Sequence, residues 1–343
     1  MTDSMAREII QRKKEEYGES LIILCHHYQS DDIIAYADFI GDSLELARKA
    51  SRIGRAEHVV FCGVYFMAES AAILAPGKSV YIPDRDAGCP LADMAPEGAV
   101  LKAWDALKEI ADSVIPVSYV NSSAAIKAFC GRNSGTICTS GNALKVFEWA
   151  YSKADRIFFL PDMNLGRNTA RGMGIPDDLI ALWDPEKDLG GLDEETLMKA
   201  RIILWKGWCP VHWPRFTPED VSSVRAGCPG IRVIVHPETD PRTVAAADMS
   251  GSTANILNCV SRMSPGESLA IGTEANMVKR AASANPQLRI VPLKEVYCDD
   301  MARITMEKLA DTLLHLEDDT YRVSVPGDTA RHAFAALANM LKI

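Results

Sequence analysis

The sequence predicts an α/β protein made of three analogous parallel-sheet domains in a pseudo-threefold arrangement around a central site. Two observations support this fold class. Short apolar runs alternate with amphipathic helical stretches along the chain, and the spacing of certain polar residues and cysteines repeats between segments. The length of 343 residues suits two or three domains, and 48% hydrophobic residues supply enough apolar material for several cores.

Ten apolar runs are predicted to be buried strands, because they are continuous and rich in Val, Ile and Leu instead of alternating. The predicted strands cover residues 21–28, 58–63, 79–84, 114–121, 135–140, 156–162, 201–207, 232–238, 268–273 and 288–293. A charged, helical N-terminal stretch leads into the first strand. Helical patterns such as SLELARKASRIG, which begins at Ser43, separate most of the others and give the chain its βαβ character.

Two segments place a strand-end histidine, a hydroxyl at a helix start and a closing cysteine at matching intervals. The matching residues are His26, Ser43 and Cys89 in one segment, and His236, Thr253 and Cys298 in the other. The histidine precedes the hydroxyl by 17 residues in both and the cysteine by 63 and 62 residues. A glycine after the second strand also matches, Gly63 with Gly272. Similar βαβ lengths would explain one shared interval, but not a cysteine closing each unit.

A middle segment follows the same plan with an insertion. Its first strand ends in Tyr119-Val-Asn121, its helix start carries Ser140, and its last strand leads to Cys209. The additional residues fall mainly in the Gly/Asp/Pro-rich stretch 166–191. We therefore predict three units, with a C-terminal extension that closes the third unit or packs on the first. The predicted boundaries are 1–112, 113–222 and 223–343.

Charge and composition exclude several functional classes. The chain has 37 basic and 46 acidic residues, a net charge of −9, which argues against nucleic-acid or anionic-membrane binding. No apolar run approaches the ~18 residues of a membrane span, and residues 1–20 lack the apolar core of a secretory signal. We therefore expect a cytoplasmic protein whose nine cysteines form no disulfide framework.

Polar side chains follow one strand in each unit, in residues 25–29, 119–121 and 236–238. Ligands of open α/β sheets bind beyond the carboxyl ends of the strands, so these three clusters are expected to meet at a common site. Ser43, Ser140 and Thr253 add a hydroxyl at a helix N-terminus, a position that suits an anion such as a carboxylate or phosphate. Taken singly, each of the three is more often an ordinary helix cap, and their matched spacing is what favours the anion site.

Cys89, Cys209 and Cys298 could together hold a [4Fe–4S] cluster with one iron left without a protein ligand. Such an iron can act as a Lewis acid. Zinc is the alternative, since Cys209 and His212 could contribute to a Cys/His site, although widely spaced single cysteines are not the usual zinc pattern. The remaining cysteines are expected to be structural, with Cys228 as the most plausible alternative ligand. They are Cys25, Cys62, Cys130, Cys138, Cys228 and Cys259.

Several common catalytic motifs are missing from the sequence. No GxGxxG motif occurs between a strand and a helix, which disfavours a nicotinamide-dependent Rossmann enzyme. The chain also has neither the GxxxxGK[ST] phosphate loop nor the GxSxG nucleophile elbow. Any phosphate on a substrate must therefore be held by other groups.

Ordered motifs between about residues 20 and 310 resemble those of the quinolinate synthase family, which makes quinolinic acid for NAD biosynthesis. The motifs are HHYQ (26–29), ADFIGDSLELA (37–47), AGCPLADM (87–94), YVNSSAAIKA (119–128), CTSGNA (138–143), KGWCPVH (206–212), VHPE (235–238), GST (251–253), GTE (272–274) and CDDMARIT (298–305). Departures from the family pattern are HHY in place of HNY, a longer FCGRNSGTICTS segment and the absence of a C-terminal CxxC. None of them affects a predicted cluster ligand.

The resemblance implies three α/β domains and a [4Fe–4S] cluster on Cys89, Cys209 and Cys298. It also implies condensation of iminoaspartate with dihydroxyacetone phosphate to quinolinate, with loss of phosphate and two waters. An L-aspartate oxidase or dehydrogenase would then be a functional partner that supplies iminoaspartate. Family substrate-binding positions fall on His26, Ser43, Tyr119, Asn121, Ser140, His236, Glu238 and Thr253, and further active-site positions fall on Tyr28 and His212.

Within this set, Glu238 is our candidate for the main acid/base, and Tyr28 is our candidate for the proton transfer of tautomerisation. His236 is expected to orient Glu238 or to share in binding the substrate. Tyr119 and Asn121 are expected to fix the substrate. Two other classes stay open, namely a different iron–sulfur hydro-lyase and a non-catalytic cluster sensor or zinc protein.

Overall fold

The computed structural model describes residues 1–343 as an α/β protein with three separate, mostly parallel sheets. This confirms the predicted fold class. All ten predicted strands are present, and each ends one to three residues earlier than the apolar pattern does. No helix is both long and apolar enough to cross a membrane.

The first sheet has the strand order β14-β4-β3-β1-β2. Its strands are β1 (Leu21–His26), β2 (Phe39–Gly41), β3 (His58–Cys62), β4 (Ser79–Tyr81) and β14 (Arg322–Val323). Only β14, at the edge, is antiparallel to its neighbour. The accompanying helices are α1 (Asp3–Tyr17), α2 (Asp31–Ile34), α3 (Ser43–Ala50), α4 (Tyr65–Leu74), α5 (Pro90–Asp93) and α6 (Glu97–Ile110).

The second sheet has the order β6-β5-β7-β9-β8 and is fully parallel. Its strands are β5 (Val114–Tyr119), β6 (Thr136–Cys138), β7 (Arg156–Leu160), β8 (Ile180–Trp183) and β9 (Ile202–Trp205). The helices of this segment are α7 (Ala124–Arg132), α8 (Ala143–Tyr151), α9 (Met163–Gly172), α10 (Glu194–Lys199) and α11 (Pro218–Gly227). The insertion at 166–191 thus contributes an edge strand, β8, which the Gly/Asp/Pro-rich composition did not predict.

The third sheet is parallel, in the order β11-β10-β12-β13. Its strands are β10 (Arg232–Val235), β11 (Met249–Ser250), β12 (Ser268–Gly272) and β13 (Arg289–Pro292). The remaining helices are α12 (Pro241–Ala246), α13 (Thr253–Ser261), α14 (Ala275–Ala284), α15 (Asp299–Ala302), α16 (Met306–Leu314) and α17 (Gly327–Met340).

The three sheets share one topology once the edge strands β8 and β14 are set aside. In each, the first strand lies between the second and the third, and the fourth lies outside the third. The register aligns Cys62 with Gly272, because Cys25 pairs with Cys62 and Val235 pairs with Gly272. The sequence match of Gly63 with Gly272 was therefore wrong by one residue, and Gly63 corresponds to Thr273.

The C-terminal segment packs on the first two units. Helix α16 lies against α1, and α17 lies against α7, β6 and α4. Gly131 of α7 permits this close approach, since a Cβ there would lie 2.0 Å from the carbonyl oxygen of His332 in α17. The buried residues of α16 and α17 belong to the large apolar core of the first two sheets, whereas two smaller cores flank the third sheet.

Candidate active site

A cavity of about 340 Å³ lies where the carboxyl ends of strands from the three sheets meet, as expected for open α/β sheets. His26 ends β1, Tyr119 ends β5 and His236 directly follows β10. All thirteen residues that the sequence placed at the site line this cavity. They are His26, Tyr28, Ser43, Cys89, Tyr119, Asn121, Ser140, Cys209, His212, His236, Glu238, Thr253 and Cys298. Their individual roles stay predictions.

The histidines at the strand ends are buried and uncharged. Burial lowers the pKa of His26 well below its usual value and lowers the pKa of His236 to about 3. The His236 ring stacks on His212 with 4.3 Å between centroids, and His26 meets Tyr28 edge to face at 4.5 Å. Neutral imidazoles can both donate and accept, so these rings can hold polar substrate groups without adding charge.

Asn121 offers a free acceptor to the cavity. Its Oδ1 atom is buried and has no hydrogen-bond partner. A buried polar atom without a partner costs free energy, so Asn121 Oδ1 is suited to accept a hydrogen bond from a bound molecule.

The three hydroxyls at helix starts line the cavity, and the alternative that they are ordinary helix caps was wrong. Asp42 caps α3, accepting from Leu44 N and Glu45 N, and Ser252 caps α13, accepting from Asn255 N. Ser43 and Thr253 are instead the first helical residues, and Ser140 lies two residues before the Asn142 cap position of α8. A capping side chain folds back onto its own helix. The neighbouring hydroxyls of Ser43 and Thr253 line the cavity instead, and that of Thr253 lies 3.4 Å from the Tyr28 hydroxyl.

The three predicted ligand cysteines reach the same cavity from three units. Cys89 and Cys298 occupy the position just before α5 and α15, and Cys209 opens the turn after β9. Burial raises the pKa of all three thiols, to about 12 for Cys298, and proximity to Cys298 raises the pKa of Cys89 and Cys209 further. The other six cysteines do not line the cavity. Cys228 in particular is buried in the small core beside Val211 and Ile231.

A hydrogen-bonded chain joins the units across the cavity. His212 Nδ1 lies 2.5 Å from Glu238 Oε2, and His212 Nε2 lies 3.1 Å from Thr273 Oγ1. Thr273 Oγ1 is in turn 2.8 Å from the Tyr28 hydroxyl. Burial raises the pKa of Glu238, but His236 and His212 outweigh that effect and lower it to about 2. Burial and the Glu238 carboxylate raise the pKa of Tyr28 and Tyr119 well above the usual value, so both phenols are protonated.

Cys209, His212 and Glu238 form a second possible metal site, since their ligand atoms lie within 4.8 Å of one another. This group corresponds to the zinc alternative raised by the sequence. Both ring nitrogens of His212 already have hydrogen-bond partners, Glu238 and Thr273. A metal on His212 would have to displace one of them.

The sequence-based prediction gave no role to two residues near the site. Thr273 lies within the GTE motif but was given no role. Asp162 follows β7 and is fully buried; its carboxylate accepts from the backbone N–H of Cys209 at 3.2 Å and of Leu165 at 2.7 Å. Its position just past a strand end was the available signal. The unassigned Asp162 fixes the backbone of a predicted cluster ligand.

This combination of fold and site defines a class of three-unit α/β enzymes with a central polar cavity that suits a small molecule. Comparison with known proteins identifies the family. The chain belongs to the quinolinate synthetase A family, whose model, "Quinolinate synthetase A protein", matches residues 7–342.

Curated relatives are similar over almost their whole length. The quinolinate synthase of Nocardioides sp. is 45% identical, with 100% of this chain and 90% of the relative covered. The quinolinate synthase of Geobacillus kaustophilus is 46% identical, with 96% and 91% covered, and that of Listeria innocua is 43% identical, with 98% and 94% covered.

Proposed function

We propose that this chain condenses iminoaspartate with dihydroxyacetone phosphate to form quinolinate, releasing one phosphate and two waters. The observation that carries the proposal is the convergence of thirteen family-motif residues, from three separate sheets, on one cavity. Membership of the quinolinate synthetase A family supports the same reaction.

The donor set fits a [4Fe–4S] cluster held by Cys89, Cys209 and Cys298. The three sulfurs are free thiols, face one cavity and come from three units, so they can surround one cluster. When bound, such a cluster would supply one iron without a protein ligand as a Lewis acid for a substrate oxygen or nitrogen.

Both proposed substrates are anions, and the cavity has fitting sites for carboxylate and phosphate groups. Ser43 and Thr253 begin α3 and α13, where the helix dipole favours negative charge. Ser140 adds a hydroxyl just ahead of α8. The side chains of Tyr119 and Asn121 can then fix the orientation of the bound molecule.

Ring formation requires loss of a carbon-bound proton as phosphate leaves, and later proton shifts between carbon and nitrogen or oxygen. Glu238 is the proposed base, because its carboxylate is buried and held by His212 at 2.5 Å. His236 lies 3.6 Å from the same oxygen and orients it. Tyr28 reaches the cavity from the opposite unit and is the proposed partner for tautomerisation.

The decisive experiment is to measure iron, acid-labile sulfide and zinc in protein purified without oxygen, followed by an assay with iminoaspartate and dihydroxyacetone phosphate. We expect about four iron and four sulfide per chain, as a [4Fe–4S] cluster requires, together with quinolinate as the product. Zinc near one per chain, with no sulfide after anaerobic reconstitution, would favour the Cys209–His212–Glu238 site and overturn the mechanism. An intact cluster without quinolinate formation would point to a different hydro-lyase or to a sensor.

Cysteine variants test the ligand set directly. Serine at position 89, 209 or 298 should abolish the iron–sulfur absorbance, because each thiolate would be one of only three protein ligands of the cluster. Cys228→Ser and Cys130→Ser are matched controls at buried cysteines away from the cavity and should retain the cluster. A cluster that survives Cys298→Ser but not Cys228→Ser would contradict the assignment.

We also infer a cytoplasmic location, because three unpaired thiols at one site require a reducing compartment. An L-aspartate oxidase or dehydrogenase would supply the iminoaspartate.

A further inference from the structure

The loop that carries Glu238 is held by a side chain from a different unit. Asn168 lies in α9 of the second unit, half-buried and outside the lining of the cavity. Its Nδ2 atom donates to the carbonyl oxygens of Pro237 and Thr239, at 2.8 Å each. These two residues stand on either side of Glu238. Asn168 therefore uses both of its amide hydrogens to hold the backbone around Glu238.

The two carbonyl groups depend on Asn168 for their hydrogen bonds. Neither accepts from a backbone N–H group in the loop or its surroundings. Thr239 is fully buried, and the connection between β10 and α12 is only five residues long, from 236 to 240. Because a buried carbonyl without a partner costs free energy, the conformation of this loop is tied to the Asn168 amide.

Arg280 in α14 of the third unit occupies the position that Asn168 occupies in α9. Leu160 in β7 and Gly272 in β12 are equivalent in the register of their sheets. Asn168 and Arg280 each lie eight residues further along the chain. The two side chains therefore belong to the same place in two analogous units.

Arg280 holds a strand-end loop of the first unit in the same way. Its guanidinium donates to Gln29 O, at 3.2 Å, and to His27 O. These two residues stand on either side of Tyr28. Tyr28 and Glu238 each lie two residues after the matching strand-end histidine of their unit. The same contact thus surrounds both residues to which the proposed function gives an acid–base role.

The first unit lacks this contact. Ser70 of α4 is its residue at the equivalent position, and the Ser70 hydroxyl donates to Phe66 O within the same helix. The equivalent loop of the second unit carries Asn121, which has no proposed acid–base role. The shared topology therefore does not require the contact. It occurs at the two loops that must place a proton-transferring side chain.

We propose that Asn168 is a positioning residue for the acid–base chemistry of Glu238. By fixing the carbonyls on both sides of Glu238, it sets the direction in which the carboxylate leaves the backbone. A catalytic group that is displaced by about 1 Å can lose about 10²-fold in rate. This inference rests on the proposed function and adds a residue of the second unit, outside the cavity, to the residues on which turnover depends.

The test compares Asn168→Leu and Asn168→Asp with the control Thr169→Val in cluster-loaded protein. Leucine and aspartate are close to asparagine in size, but leucine cannot donate and an ionised aspartate can only accept. Thr169 is the next residue of α9, but its hydroxyl donates to Leu165 O in the same helix, and it does not line the cavity. We expect kcat to fall by at least about tenfold in both Asn168 variants, with KM changed less than about threefold. Thr169→Val should match the parent protein.

A double-mutant cycle with Glu238→Gln separates positioning of Glu238 from a general structural role. If Asn168 acts through the Glu238 carboxyl, Asn168→Leu should lower kcat less than about twofold once Glu238→Gln is present. Asn168→Asp takes its place in the cycle if the leucine variant does not fold. An equal fractional loss of kcat in both backgrounds, or an unchanged kcat in the single Asn168 variants, would overturn the proposal.

Crystal structures of the parent protein and the variants test the contact without an activity assay. If the parent forms no quinolinate, the proposed function fails, and these structures decide the positioning role separately. In the Asn168 variants, loop 236–240 should shift and Glu238 Oε2 should move from its position 2.5 Å from His212 Nδ1. A Glu238 carboxylate that stays in place would refute the role of Asn168.

Discussion

Replacing Glu238 with glutamine should reduce turnover by about 10²- to 10⁴-fold and leave the fold intact. The Glu238 side chain is only 3% exposed, with Oε2 at 2.5 Å from His212 and 3.6 Å from His236. Glutamine has nearly the same size and still presents an oxygen that accepts from His212. It cannot take up a proton from substrate, so the substitution removes the acid–base contribution while preserving the shape of the cavity.

The predicted loss corresponds to about 3–5 kcal/mol of transition-state stabilisation, since each tenfold change in rate equals about 1.4 kcal/mol. The loss should fall on kcat, because the proposed substrate contacts at the helix N-termini and Asn121 are unchanged. The measurement is steady-state quinolinate formation without oxygen, with iron content determined on the same samples.

Glu274→Gln is a matched control for this experiment. Glu274 is a second buried glutamate of the third unit, but it caps α14 and does not line the cavity. The kcat of the Glu274→Gln variant should stay within about twofold of the parent value. Near-normal turnover of Glu238→Gln with an intact cluster would refute the assignment of Glu238 as the acid/base.

Three further outcomes follow from particular contacts. Arg280 donates to two backbone carbonyls of the first unit, so Arg280→Met should lower the free energy of unfolding by about 1.5–3 kcal/mol in denaturation experiments. The control Lys279→Met, at an exposed neighbouring residue, should lower the free energy of unfolding by less than about 1 kcal/mol. Equal losses of stability in the two variants would contradict an anchoring role for Arg280. Burial raises the pKa of Glu274 to about 8, above its unfolded value, so the folded state binds the extra proton and the melting temperature should fall as pH rises from about 5 to about 8. Glu274→Gln should flatten that fall, and an unchanged pH profile would show that the carboxyl is ionised in the fold. Asn121→Ala should raise KM about tenfold, equivalent to about 1.4 kcal/mol, without loss of iron, because a buried acceptor facing the cavity is removed; an unchanged KM would exclude substrate contact.

Most of the fold could be predicted from local hydrophobic patterns in the sequence. Long apolar runs predicted the central strands, because a strand covered on both faces is apolar at every position. The short edge strands β2, β11 and β14 were missed because two or three residues carry no period. β8 was missed because its LIALW run lies within polar, glycine-rich sequence. Pairing with a neighbouring strand, which the sequence does not specify, makes these segments strands.

The unit boundaries near 112 and 222 stay a prediction, which limited proteolysis at these positions can test.

The packing of the C-terminal extension could not be predicted from the intervals between matching residues. It follows the third unit in the chain, but α16 and α17 bury their apolar faces against the first two units. The packing position of α16 and α17 depends on which apolar surface remains uncovered once the sheets have formed.

The sequence by itself determined the α/β class and the repeated plan, because these follow from periodicity and from spacing. Positions relative to strand ends, together with the family resemblance, identified thirteen of the 28 residues that line the cavity. Only the tertiary structure decided how those residues act on one another. It showed that Asp42 and Ser252, not Ser43 and Thr253, cap their helices, and it joined Tyr28 to His212 through Thr273. Hydrogen bonds between units depend on distances of about 3 Å between residues that are far apart in the chain. Spacing along a sequence cannot specify such distances, because they are set by how the sheets pack together.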